Sequence, residues 1–217
     1  MRVWSILMTV AMDEGLRDDN PAAKLKIETP PSRDQRWAPP QVATFCEAAR
    51  KAGRGSLALA VLLAYRLFQR EGDVLRLSRS AIKGGIAYIR QNKTGALVGV
   101  AIDAELQATL ETAPTDSTCL VISEATGLPY KADYFRHEFA RVRKLAGLPA
   151  ELRFSDLRRS ALTEAGEGGA TVSELQAVSG HKTLSQLATY VRPTTEMARR
   201  AVRKRSKVAK ATEQREG

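Results

Sequence analysis

Cysteine and histidine are nearly absent: the 217 residues hold two of each, Cys46 and Cys119, His137 and His181. Two cysteines this far apart give no disulfide framework and no metal-binding cluster, and they fit a reducing cytosol. A long apolar opening run is missing too. Val3-Trp4-Ser5-Ile6-Leu7-Met8-Thr9-Val10-Ala11-Met12 is followed by acidic residues, lacks a small-residue cleavage site and falls short of the roughly 20 apolar residues a membrane span needs. Neither a signal peptide nor a span is expected. There is no internal repeat and no glycine-rich phosphate loop, since Gly166 to Gly169 follows a predicted helix rather than a strand. Acidic residues are also in short supply. The 24 Asp and Glu against 34 Lys and Arg leave a formal charge of +10 and a pI near 9.9, which points to a polyanionic partner. From Arg199 to Gly217 eight basic residues face only Glu213 and Glu216, so this tail carries +6 of the +10.

What is present suffices for one full domain with appendages, because 43% of the residues are apolar. The opening stretch reads as an amphipathic helix ending near Gly15, followed by a short turn at Asn20-Pro21-Ala22. Lys26 to Pro40, KIETPPSRDQRWAPP, has the proline and charge of a linker, and the compact domain is expected to begin near Trp37. Gln41 to Ala52 and Ser56 to Phe68 read as helices, the second almost wholly apolar from Leu57 to Leu63 and therefore central to the core. Gly72 to Leu77 continues as a short helix, with Arg70 at the break before it. Two β-prone runs, Ile86 to Gln91 and Leu97 to Ile102, flank Asn92-Lys93-Thr94-Gly95, the composition of a hairpin turn with Lys93 at its tip. Asp103 caps a predicted helix to Thr112, and Cys119 to Ile122 reads as extended. The helix from Ala132 to Ala146 stacks Phe135, Phe139, Val142 and Leu145 on one face, with His137 off that face and solvated. The expected fold class is mainly α with a small antiparallel β-sheet.

The stretch from Phe154 to Tyr190 is the most informative. Ser155 is positioned to cap a helix through Ala165, Thr171 with Glu174 reads as a capping box, and Thr183 with Gln186 as another. His181 falls between a helix end and a helix start. The last helix gathers Leu184, Leu187, Ala188 and Val191 on one face, with Tyr190 at its edge. Taken singly, Arg158 reads as a solvated arginine, His181 as a linker histidine and Tyr190 as a packed tyrosine. Together, an arginine, a Gly-His junction, a tyrosine and a basic tail in that order form a less ordinary pattern.

Asp-Leu-Arg-Arg at 156–159, Ser-Gly-His-Lys-Thr at 179–183 and Ala-Thr-Tyr-Val at 188–191 resemble the C-terminal boxes of the tyrosine recombinase (phage integrase) family. Gln69 to Leu77 resembles its first arginine box, and Gln91 to Gly95 its lysine-bearing hairpin. The resemblance divides the chain into 1–36, the last helix of a largely missing core-binding domain plus a linker; 37–198, the catalytic domain; and 199–217, a basic tail. It implies a bacterial or phage-encoded recombinase that cuts and rejoins double-stranded DNA through a 3′-phosphotyrosine, without metal or cofactor, as a homo-tetramer on paired sites in the cytoplasm, away from membranes. By the same resemblance Tyr190 is the nucleophile and Arg70 and Arg158 clamp the phosphate. His181 donates a hydrogen bond, and Lys93 protonates the departing 5′-oxygen.

Three departures accompany the match. Ser155 stands where the family usually has a histidine that assists proton transfer, and a serine is no base at neutral pH. Leu67-Phe68 replaces the Thr-Gly common before the first arginine box, which implies a shifted backbone under Arg70. The nearly absent clamping domain implies a truncated chain with weaker DNA binding. Two other readings stay open: a non-catalytic DNA-binding remnant of the same fold, and a type IB topoisomerase-like enzyme that relaxes one strand.

Overall fold

The computed structural model describes residues 2–23, 34–113, 117–183, 185–188, 190, 195, 198–200, 202, 203 and 205. It divides into two compact units, Met1–Asp34 and Gln35–Gly217. In the first, helix α1 (Arg2–Asp13) leaves Val3, Trp4, Ile6 and Leu7 exposed. The turn that follows is tied back to it, with Asn20 Nδ2 donating to the Ser5 carbonyl at 2.9 Å. The expected linker falls largely on 24–33, outside the described residues.

The second unit is built around α3 (Gly55–Arg66), buried from Leu57 through Tyr65. A helix apolar on every side has to be wrapped by others. α2 (Pro39–Lys51) covers it with Val42, Phe45, Cys46 and Ala49. Burial pushes the Cys46 thiol up to about 11, so it packs as an inert apolar group. α6 (Ala132–Leu145) contributes Phe135, Phe139 and Val142. Leu145, expected on that face, is instead 64% exposed, because the core beneath α6 ends at Val142.

An aromatic cluster fixes the start of α7 (Phe154–Glu167). Phe154 meets Phe135 and Phe139 edge-on at 5.0 and 5.6 Å between centroids, and Phe45 stacks on Phe139 at 4.8 Å. Trp37 donates from its backbone to Ser160 Oγ at 2.8 Å and from its indole to the Arg153 carbonyl at 2.9 Å. These contacts lock the phase of α7 and turn Arg158 inward.

The sheet is a three-stranded antiparallel meander, β1 (Ile82–Lys83), β2 (Ile86–Arg90) and β3 (Leu97–Ala101), with Tyr88 opposite Gly99. Ala87, Ile89, Val98 and Val100 face the core while Tyr88 and Leu97 face out, the period-2 alternation of a half-buried sheet. Cys119 and Ile122 make only isolated bridges, to Ser78 and Pro129, rather than a strand. α4 (Glu71–Val74), α5 (Ala104–Glu111), α8 (Val172–Ser179) and α9 (Ser185–Ala188) complete the described elements. Leu184 and Val191, expected on the face of the last helix, lie outside the described residues, as does most of the 199–217 tail.

Candidate functional site

Arg70 sits immediately before α4, where the chain leaves the buried α3. Phe68 precedes it at φ 57°, the left-handed region a glycine enters freely. The backbone thus makes a glycine-like turn with a bulky residue, at a strain of about 1–2 kcal/mol. Arg136 on α6 anchors the start of α4 by pairing with Glu71 at 2.9 Å.

The hairpin meets this turn through Gln91, which is fully buried. Its Oε1 accepts from Arg70 Nη1 at 2.9 Å and Thr94 Oγ1 at 3.0 Å, while its Nε2 donates to Gln69 Oε1 at 2.9 Å and the Ser179 carbonyl at 2.7 Å. One amide therefore joins the arginine turn, the hairpin and the end of α8. Buried Asp73 adds a second tie, its Oδ1 accepting from the Asn92 N–H at 2.9 Å while its Oδ2 lies 4.0 Å from Arg70.

Arg158 is 8% exposed, not solvated. Its Nη2 donates to the Ser179 carbonyl at 2.8 Å and lies 3.5 Å from His181 Nδ1. Its Nη1 is buried with no hydrogen-bond partner among the described residues. Burial and the like charge of Arg70 pull its pKa down to about 10, against the opposing pull of Tyr190 and Asp73, so it stays cationic at neutral pH.

His181 follows the Thr171–Glu174 capping box that starts α8 and the left-handed Gly180 that ends it. A side chain at Gly180 would meet Gln91 Oε1 at 2.8 Å and Val98 Cγ1 at 2.9 Å, so the turn is pressed against the hairpin. Burial, then Arg158 and Arg70, lower the imidazole to about 4 and keep it neutral. The half-buried Tyr190 ring lies 6.4 Å from the His181 ring, packed beside Leu187.

The structure thus gathers Arg70, Arg158, His181 and Tyr190 into one half-buried, net-positive cluster. Lys93 stands exposed at the hairpin tip, with no hydrogen bond or ion pair among the described residues. Ser155 is exposed at the second position of α7 and does not cap it. The helix starts two residues earlier than expected, because Phe154 is drawn into the aromatic cluster and Asp156 accepts from the Arg153 N–H at 2.9 Å. Gln91, Gln69, Asp73 and Ser179 were not singled out by sequence, since polar residues in turns give no periodic signal. A glutamine two residues before the hairpin lysine is the one available hint. Among the described residues no cluster of His, Cys, Asp and Glu could hold a metal, and no helix is long and apolar enough to cross a membrane.

Solved structures of DNA-acting recombinases share this architecture. A lambda integrase fragment (75–356), as a dimer bound to a COC' core site, is 23% identical with a TM-score of 0.70, covering 84% of this chain and 70% of that one. Lambda integrase as a tetramer on a Holliday junction is 23% identical with a TM-score of 0.73; 87% of this chain is covered, but the match spans only 56% of the lambda chain. The Tn1549 transposon integrase bound to circular intermediate DNA is 13% identical at a TM-score of 0.69, over 91% and 75% of the two chains. These likenesses define the class as the tyrosine recombinase catalytic-domain fold. Residues 36–197 match the phage integrase family, and the chain belongs to it. No curated protein matches it.

Proposed function

We propose that this domain cuts and rejoins double-stranded DNA as a site-specific recombinase. Tyr190 Oη attacks a phosphodiester, forming a phosphotyrosine at the 3′ side as the P–O5′ bond breaks, and Lys93 supplies the proton taken up by the 5′-oxygen. A later 5′-hydroxyl reverses the step, so no metal or nucleotide is needed. Arg70 and Arg158 hold the non-bridging oxygens, for which forked guanidiniums suit better than point charges. His181, neutral, adds a donor. With Ser155 in place of a histidine, the phenol proton passes to solvent, and the missing base costs roughly 10²- to 10⁴-fold in rate.

The observation that carries this reading is the crowding of two guanidiniums in one cluster, with Arg158 Nη1 unpartnered among the described residues. Like charges held together in partial burial are costly unless an anion offsets them, and a phosphate does so with matching geometry. The formal charge of +10 supports a nucleic-acid partner. Dimeric and tetrameric assemblies of the lambda relatives on DNA support assembly on paired sites. The domain division 1–36, 37–198 and 199–217 and a bacterial or phage-encoded cytoplasmic setting belong to the same proposal. One observation favours a non-catalytic DNA binder instead: the exposed Ser155 offers no base.

The test is covalent capture on a pool of nicked duplexes of randomised sequence, with adducts resolved under denaturing conditions and sequenced. The expected result is an adduct in the parent that Tyr190→Phe abolishes. Tight binding with no adduct from any sequence would establish the binder. Plasmid relaxation without exchange between sites would establish a topoisomerase.

A further inference from the structure

Ser179, the last residue of α8, is fully buried, and no step outlined above uses its hydroxyl. Its Oγ lies 2.7 Å from His181 Nδ1, and Arg158 Nη2 approaches the same nitrogen at 3.5 Å. A guanidinium has only donors. A proton on Nδ1 would therefore aim one N–H at another, whereas a lone pair there accepts from the serine hydroxyl and the guanidinium together. The imidazole proton then resides on Nε2, across the ring.

We infer that Ser179 is a positioning residue whose hydroxyl donates to His181 Nδ1 and holds the ring as its neutral Nε2–H tautomer, presenting a single N–H donor to a phosphoryl oxygen. The use of that donor rests on the recombinase reading; the tautomer does not. The surroundings agree. Arg158 from α7 and Arg70 from the start of α4 face the ring as cations, Tyr190 lies beyond α9, and Gln176 on α8 donates to the His181 carbonyl at 3.1 Å, so no carboxylate among these neighbours favours an imidazolium. The left-handed Gly180 turns the chain back so that residue 181 lies over residue 179. A ring held this way needs no reorientation when the phosphate arrives, and fixing the non-donating nitrogen is a recurring way to aim the donating one.

The chain has only two histidines, one of them the exposed His137, so nitrogen-15 spectra of histidine-labelled protein resolve both, with His137→Gln assigning them. The expected spectrum of the full chain at pH 7 shows His181 with an unprotonated, hydrogen-bonded Nδ1 and a protonated Nε2. In Ser179→Ala the two tautomers mix, the apparent pKa of His181 rises, and adduct formation falls about fivefold, the effect of losing one neutral hydrogen bond. A parent spectrum with the proton on Nδ1, or an imidazolium at pH 7, overturns the inference even if Ser179→Ala fails to fold. So does a Ser179→Ala spectrum and titration identical to the parent. A parent that shows the Nε2–H signature but forms no adduct removes the recombinase reading and leaves the role of Ser179 standing.

Discussion

Replacing Gly180 by alanine should damage stability and site together, because this residue presses the α8 turn against Gln91. At φ 62° an alanine pays about 1–2 kcal/mol of left-handed strain. Its Cβ would also stand 2.8 Å from Gln91 Oε1 and 2.9 Å from Val98 Cγ1, closer than real Cβ contacts come. Val98 belongs to the packed sheet, so the Gln91 amide has to move. Moving it breaks at least one of its bonds to Arg70, Gln69 and the Ser179 carbonyl, and a buried group left unsatisfied costs about 1–3 kcal/mol. The sum is about 2–5 kcal/mol. Gly147→Ala is the control, since φ is 66° there but nothing lies within 4 Å, leaving strain alone. Urea denaturation of both variants, read as the midpoint at unchanged m-value, measures the difference. Gly180→Ala should lose about 2 kcal/mol more than Gly147→Ala and form adduct at least tenfold more slowly. Equal costs in the two variants would refute the claim that this contact locks the site.

Gln91→Leu keeps the volume but removes the acceptor that holds Arg70 and the donor to the buried Gln69 Oε1, so adduct formation should fall about 10- to 100-fold while duplex binding by gel shift changes little. Arg158→Lys loses the planar fork, and a drop of about 10²- to 10³-fold in single-turnover cleavage is expected with charge conserved. Inorganic phosphate should raise the melting temperature of the parent and not of Arg158→Met, since an anion that binds only the folded state stabilises it. His181 titrates near 6.5 when unfolded but near 4 when folded; its contribution to stability is therefore intact above about pH 6.5 and falls as pH drops toward 4, a slope that His181→Gln should reduce in pH-dependent urea melts. Ser155→His places an imidazole one turn before Arg158 without touching the Arg153–Asp156 cap, and should speed cleavage at least tenfold.

Elements with a strong period were legible in the sequence. The apolar α3, the aromatic face of α6 and the β2–β3 hairpin each repeat a local pattern that burial then enforces. Failures fell where tertiary contacts decide. Ser155 is a good cap by type, yet Phe154 has more to gain in the aromatic cluster, and α7 begins two residues sooner. Strand β1, two residues long, is too short to show any alternation. Phe68 is the sharpest case, because its backbone takes a glycine-like conformation that no local pattern signals, held by packing of Phe68 against both core clusters.

The candidate site divides along the same line. Arg70, Arg158, His181 and Tyr190 were picked because the short motifs around them resemble the family's boxes. What joins them was hidden, because Gln91 and Ser179 tie together partners 21 to 88 residues distant and carry no charge to mark them. Their placement explains how three cationic or donor groups stay together before any anion arrives. Arg70 and Arg158 repel each other, but both are tethered to neutral acceptors, Arg70 to the Gln91 carbonyl oxygen and Arg158 to the Ser179 main chain. Buried Asp73, its Oδ2 4.0 Å from Arg70, offsets only part of their charge; had a carboxylate held each of them, the cluster would be neutral and a phosphate would have to displace the holders. Amide and main-chain oxygens fix the guanidiniums while leaving a net positive charge, which is the arrangement that stabilises a phosphoryl group gaining negative charge.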